Sequence, residues 1–227
     1  MNLKVENKFG NFFTTDHTGE VEFNVSNGDF QAHDLSGKSR IELQFSNAMI
    51  SKITNGKINI NYSELDLEQS ENLNISSKSS TVNLEHSKTL IVDSKRDKYN
   101  LVDVISLNLN SSFTYFTLNT LKSNLSAQTK YGNLEIITVN LGFRNINIEM
   151  EYTNVKASFP RGTSYRLDLT YCKSKLIYPE QLSQLEKTTV DPKEEIYRMY
   201  GIVGKSGNPT SKIKISAKSG EVSLFHK

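Results

Sequence analysis

Four carboxylates are the residues of this chain best spaced to act together: Asp66 and Glu68 in "LDLEQS", Glu85 in "NLEHS" and Asp103 in "LVDVIS". They recur at nearly even intervals. Two carboxyl groups, one donating and one accepting a proton, are what glycoside hydrolysis requires. Clustered carboxylate oxygens also suit Ca²⁺. Stacked carboxylates repel one another unless a cation intervenes, and Lys78 and Lys88 are close enough in sequence to supply one. The plainer expectation is a solvated acidic face, with these four as candidate ligand-binding residues rather than catalytic or metal-binding ones.

The other reactive side chains are isolated. His17, His33, His86 and His226 are scattered. None has a second His or Cys at metal-ligand spacing, which predicts surface positions. Cys172, the one cysteine, sits in "TYCKSKL" without a nearby histidine and reads as a small strand residue. A single cysteine excludes an internal disulfide and a cysteine-based zinc site. No phosphate-binding loop, dinucleotide glycine motif or nucleophile elbow is present. These readings predict no enzyme activity, no cofactor and no metal.

Bulk properties narrow the partners. The 227 residues carry 27 basic and 25 acidic side chains, a formal net charge of +2. That balance gives no footprint for nucleic acid. No apolar run reaches transmembrane length. Met1 leads directly into "NLKVENKFG" with no apolar signal region, which predicts either a cytosolic protein or a mature, exported one. Hydrophobic content is 36%, with 10 Tyr, 11 Phe and no Trp, which predicts a narrow core under a large polar surface.

The elements that position all of this are repeats. Apolar and polar residues alternate in "VEFNV", "IELQF", "INI" from Ile58, "LNI" from Leu73, "LNL" from Leu107 and "INIEM" from Ile146. A polar turn follows in each unit, then a second alternation, as in "YSELDL", "SSTVNL", "FTYFTL", "YGNLEI" and "YTNVKA". Period-two alternation means strands with one buried face. Short units of this kind cannot bury a core singly and are stable only when stacked. The expectation is an all-β chain: one domain over residues 1–227, a parallel β-solenoid (β-helix) of about ten coils. Its hand is expected to be right, by the crossover rule. Ile58, Ile60, Leu73, Ile75, Leu107, Leu109, Ile146 and Ile148 are predicted to point inward. Phe9, Tyr62, Phe113, Tyr131 and Tyr152 are predicted to stack as a corner ladder. Gly10, Gly28, Gly132 and Gly220 mark corners that need positive φ or close coil approach. Asn59, Asn74 and Asn108 are predicted to stack as an outward amide ladder, as are Asn61 and Asn110.

Two segments break the rhythm, "FPRGTS" from Phe159 and a longer excursion over residues 179–211. The longer one predicts a short helical turn at Glu180 to Leu185, then a charged loop before the final strand unit that either covers the last coils or serves as a binding loop.

"VENKFGNF", "LNLNSSFTYFTLNTLKSNLSAQTKYGNLEI" and "GIVGKSGNPTSKIKISAKSGEVSLF" together resemble the adhesin-like β-solenoid domains of bacterial envelopes, a family whose function is itself unassigned. The resemblance implies a right-handed parallel β-helix, export to the periplasm or cell surface, no enzyme activity, and a protein or polysaccharide partner in the cell envelope. It supplies no site residues. In the middle coils Ser63, Ser80 and Thr153 stand where the family's corners carry glycine. The expectation is therefore a non-catalytic interaction, adhesion or scaffold module. The alternative is a polysaccharide-active β-helix enzyme using Asp66, Glu68, Glu85 and Asp103.

Overall fold

Each coil of this chain is written as alternating aliphatic and polar residues, so each forms strand with one face available for burial. The computed structural model describes residues 2–227. The strands are β1 (Leu3–Lys8), β2 (Phe12–Thr14), β3 (Val21–Ser26), β4 (Asp29–Gln44), β5 (Asn47–Asn61), β6 (Glu64–Lys78), β7 (Thr81–Lys95) and β8 (Lys98–Ser112). They continue as β9 (Tyr115–Lys130), β10 (Asn133–Val139), β11 (Asn145–Phe159), β12 (Tyr165–Ile177), β13 (Ser183–Asp191), β14 (Ile196–Val203) and β15 (Lys212–His226). They stack as a β-solenoid of about nine turns.

One column of inward residues runs almost from end to end. Val5, Phe23, Ile41, Ile58, Ile75, Val92, Leu109, Ala127 and Ile148 each pair with the next. The inward set predicted from sequence, Ile58 through Ile148, is at most 3% exposed. The outward amides are less regular than expected. Asn59 pairs with Ser76, not Asn74, because the coils are offset by one alternation step from the assumed alignment. Amide-to-amide bonds between coils join Asn72 to Asn55 at 3.0 Å and Asn100 to Asn83 at 2.7 Å, while Asn59 and Asn110 reach the carboxylates of Glu42 and Asp93.

The corners obey one backbone rule. Phe9, Asn27, Phe45, Tyr62, Ser79, Arg96, Phe113, Tyr131, Tyr152, Ser219 and Lys173 all have φ between 49° and 64°. Left-handed backbone at a non-glycine residue costs roughly 1–2 kcal/mol. The turns from Phe9 to Tyr131 each gain a bond to the adjacent coil in return, as when the Tyr62 amide donates to the Lys78 carbonyl and the Ser79 amide to that of Lys95, both at 3.0 Å.

Of the two requirements expected at the corner glycines, Gly10 (φ 128°) and Gly220 (φ 116°) show positive φ and Gly132 shows close coil approach, its left-handed residue being Tyr131, one position earlier. Gly132 is required for space instead. A Cβ there would be driven into the carbonyl oxygen of Thr114 on the preceding coil, and one at Gly28 into that of Gly10. Gly132→Ala is therefore expected to cost about 1–3 kcal/mol by overpacking. An unchanged urea midpoint for that variant would contradict this.

The C-terminal end departs from sequential stacking. The last strand, β15, does not follow β14. It lies parallel between β11 and β12, so Ile148 pairs with Ile215 and Ile215 with Leu169. The turn after β11 leaves a rung free and the chain's own end fills it. The Lys227 amide donates to the Phe159 carbonyl at 2.9 Å and the Arg161 amide to the Lys227 carbonyl at 2.8 Å. The excursion from Pro179 is more ordered than a charged loop. A short 3-10 turn at Glu180–Leu182 leads into β13 and β14, an antiparallel hairpin that pairs with β12. Through β14 it packs against β12 at this end of the stack. Arg198 grips Asp168 with two bonds of 2.8 and 2.9 Å, and their mutual hydrogen bond holds the Asp168 carboxyl below its usual range.

Candidate recognition surface

The left-handed corners turn their side chains outward. Phe45 and Tyr62 stack with centroids 5.2 Å apart and planes 10° apart. Phe113, Tyr131 and Tyr152 form a second stack at 4.9 and 5.0 Å. Arg96 leans over the Phe113 ring at 5.8 Å. These five rings remain 47–53% exposed. Of the predicted ladder, Tyr62, Phe113, Tyr131 and Tyr152 join a stack and Phe9 occupies the same column at the first coil. Sequence reasoning missed Phe45, although "QFSNAM" carries the same signal, an aromatic followed by serine and asparagine.

Beneath this column runs a buried hydroxyl ladder, one residue further along each coil. The Ser46 amide donates to Ser63 Oγ at 3.0 Å and the Ser63 amide to Ser80 Oγ at 3.2 Å. Each hydroxyl in turn donates to the carbonyl two residues back, as Ser63 Oγ does to Asn61 at 2.8 Å. These serines replace corner glycine because their Oγ satisfies a backbone amide that would otherwise be orphaned by burial.

Asp97 interrupts the ladder with a carboxylate that is 4% exposed. It accepts from the Ser80 amide at 2.7 Å, the Lys95 amide at 2.9 Å, Ser77 Oγ at 2.7 Å and Ser94 Oγ at 2.6 Å. Since the Ser77 proton is committed to Asp97, the Tyr99 hydroxyl donates to Ser77 Oγ across their 2.6 Å contact. Burial pushes the Tyr99 phenol far up, so it stays a neutral donor. A buried carboxylate needs this many donors to be tolerated. In the sequence Asp97 is hidden in the charge-rich "SKRDKYN", which reads as a solvated turn.

The four carboxylates singled out by spacing do not form one constellation. Asp66, Glu68 and Glu85 line an open depression of about 440 Å³. Asp66 accepts a 2.7 Å bond from Asn83, so an amide follows it in its column, whereas Glu68 and Glu85 fall at corresponding positions of consecutive coils, between the Leu67–Leu84 and Gln69–His86 pairs. Asp103 lines a separate depression. It pairs with Lys122 at 3.0 Å and has His86 at 3.4 Å. Burial opposes its ionisation, but the bonds from Lys122 and Thr120 outweigh this and hold the carboxyl below its ordinary value. Among the described residues no three His, Cys, Asp or Glu side chains gather as a metal site. No helix is long and apolar enough to cross a membrane.

Not all the histidines lie at the surface. His17 contacts Thr14 Oγ1 at 2.6 Å. His226 is half-buried against Phe159 and Tyr165, with ring centroids at 5.7 and 5.8 Å. Desolvation lowers its pKa from the ordinary 6.5. As pH falls through 6.5 the unfolded chain therefore takes up a proton that the folded chain refuses. Stability is full above that value and lost as pH falls toward the lower folded pKa. His226→Phe is expected to flatten the fall in Tm between neutral and mildly acidic pH. An unchanged slope would contradict it.

No protein-family model matches the chain, and no curated protein or solved structure is significantly similar to it.

Proposed function

We propose that this chain is a non-catalytic, extracytoplasmic interaction module of the bacterial envelope, and that its aromatic corner column is the face that binds. The observation carrying this reading is the pair of coplanar, half-exposed stacks, Phe45–Tyr62 and Phe113–Tyr131–Tyr152, held on a frame that fixes each ring through a left-handed backbone. Aromatic rings give large contact area at low entropic cost. Because the column repeats coil by coil, its natural partner is a polymer that also repeats every few ångströms. An envelope polysaccharide is the partner we favour. The assignment to the envelope rests on the family resemblance alone.

The alternative, a polysaccharide-active β-helix enzyme, has a weaker basis. It needs an acid and a base facing one substrate, whereas Asp103 is engaged with Lys122 outside the depression that Asp66, Glu68 and Glu85 share. One experiment separates the two. Wild-type protein, a Tyr62→Ser/Phe113→Ser/Tyr131→Ser variant and an Asp66→Asn/Glu68→Gln/Glu85→Gln/Asp103→Asn variant are passed over immobilised polysaccharides. The eluates are assayed for released reducing ends. Retention lost only in the aromatic variant, with no release, supports the binding module. Release of ends that disappears in the acidic variant establishes the enzyme instead. Retention by neither wild type nor variants, with partner binding by protein blot unaffected by the aromatic changes, removes the column from its role.

A further inference from the structure

The aromatic column is interrupted at two adjacent coils, Ser79 and Arg96, between its two stacks. Its residues in order are Phe45, Tyr62, Ser79, Arg96, Phe113, Tyr131 and Tyr152, all in the same left-handed conformation. Ser79 lacks a ring. Tyr62 and Arg96 are two rungs apart, roughly 10 Å by strand spacing, and Arg96 leans away from the gap onto Phe113. A flat ring midway between them would lie about as far from each neighbour as Phe45 lies from Tyr62, 5.2 Å. The space is real: an open depression of about 780 Å³ is lined there by Tyr62, Ser79, Arg96, Lys98 and Phe113.

The walls of the gap also have a charge preference. One side is the face of Tyr62, the other a guanidinium, which stacks well on π systems. Lys78 and Lys95 stack one rung apart just before the corner, but they line a neighbouring depression that also holds Glu42 and Asp93. Lys98 stands on the other side. None of Lys78, Lys95, Arg96 or Lys98 makes an ion pair, whereas Lys88, Lys122 and Lys130 on neighbouring coils do. Glu64 is the one exposed acid at the rim, and Asp97 below is consumed by its internal bonds.

We propose that the Ser79 gap is a binding slot for a planar aromatic ring bearing an anionic group, with the ring between Tyr62 and Arg96 and the anion toward Lys98. This rests on reading the corner column as a recognition face and adds a ligand class to it. Such a guest extends the stack from Tyr62 toward Arg96 and meets the unpaired charge of Lys98 at the same time.

The test uses the full chain and four small probes followed by ¹H–¹⁵N NMR titration: 2-naphthoate, the neutral planar 2-naphthylmethanol, the non-planar anion cyclohexanecarboxylate, and chloride as a salt control. Naphthoate is expected to shift the amides around Tyr62, Ser79 and Arg96 at millimolar concentration, and the neutral and non-planar probes to bind at least about fivefold more weakly. Ser79→Tyr supplies the missing ring and is expected to weaken naphthoate at least about tenfold while raising Tm. Arg96→Gln is expected to weaken it while leaving the fold intact. Equal naphthoate binding by wild type and Ser79→Tyr overturns the proposal. So does equal binding of naphthoate and cyclohexanecarboxylate, or no naphthoate shift at these residues. Ser79→Tyr leaves the two aromatic stacks in place, so polysaccharide retention by that variant reports on the wider face independently of the slot.

Discussion

Deleting residues 212–227 is expected to unfold the C-terminal third of the protein while the preceding coils stay folded. The deleted strand β15 buries Ile213, Ile215, Val222 and Leu224, each at most 3% exposed. That is roughly 6–12 kcal/mol of gross apolar burial, comparable with the whole net stability of an ordinary domain. The deletion also opens two edges at once, because β15 bonds to β11 on one side and β12 on the other. β12 and the β13–β14 hairpin would then be joined to the rest of the solenoid through the turn after Phe159, the packing of Tyr165 on Phe143 and Phe159, and the bond from Ser211 to the Phe143 carbonyl, without a strand ladder. Stacked repeats lose stability locally, so the circular dichroism signal should fall in part and melt in two steps. The open edges should cause association at higher concentration. A synthetic peptide of residues 212–227 should restore a single transition. A truncated chain that melts like the intact one would show that β15 does not hold this end together.

The second large effect is expected at Asp97. Asp97→Ala strands the Ser80 and Lys95 amides and the hydroxyls of Ser77 and Ser94 in a buried site. An unsatisfied buried donor costs about 1–3 kcal/mol, and partial hydration of the vacated space offsets part of the sum, so a loss of about 3–5 kcal/mol is expected. Asp97→Ser should cost distinctly less, because serine occupies the equivalent position in the preceding coils at Ser46, Ser63 and Ser80 and satisfies the same kind of amide. Chemical denaturation of the two variants checks both the size and the order. A serine variant as unstable as the alanine variant would mean that the carboxylate, and not the hydroxyl ladder it replaces, is what the corner requires.

These two sites show where the sequence was legible and where it was not. The alternation in "INI", "LNL" and "INIEM" identifies strands and their inward faces because burial of one face is a local, two-residue signal. The ladder of Tyr62, Phe113, Tyr131 and Tyr152 is legible because each ring precedes a small residue at a repeated place. Gly132 is legible as a corner glycine that needs positive φ or close coil approach, and the choice between them is not: Tyr131 takes the left-handed backbone and Gly132 makes room for Thr114. The amide columns were misaligned because alternation does not fix which step of one coil meets which step of the next. The hairpin of β13 and β14 read as a loop: Glu186, Lys187 and Thr189 leave little of "QLEKTTV" for burial. The place of β15 was not legible at all. "IKISAKSGEVSLF" announces a coil, but the rung that receives it is chosen by contacts with β11 and β12, dozens of residues away in sequence. Of the candidate carboxylates, spacing found three that share a depression and could not show that Asp103 turns to Lys122.

Every surface described above depends on one continuous stack whose end strand lies inside it. Amide hydrogen exchange over residues 212–227 tests this most directly. Because the β15 backbone is bonded on both sides, its amides should exchange as slowly as those of β11 and far more slowly than those of β13, the outermost strand of the hairpin. Exchange of residues 212–227 as fast as that of β13 would contradict an internal β15.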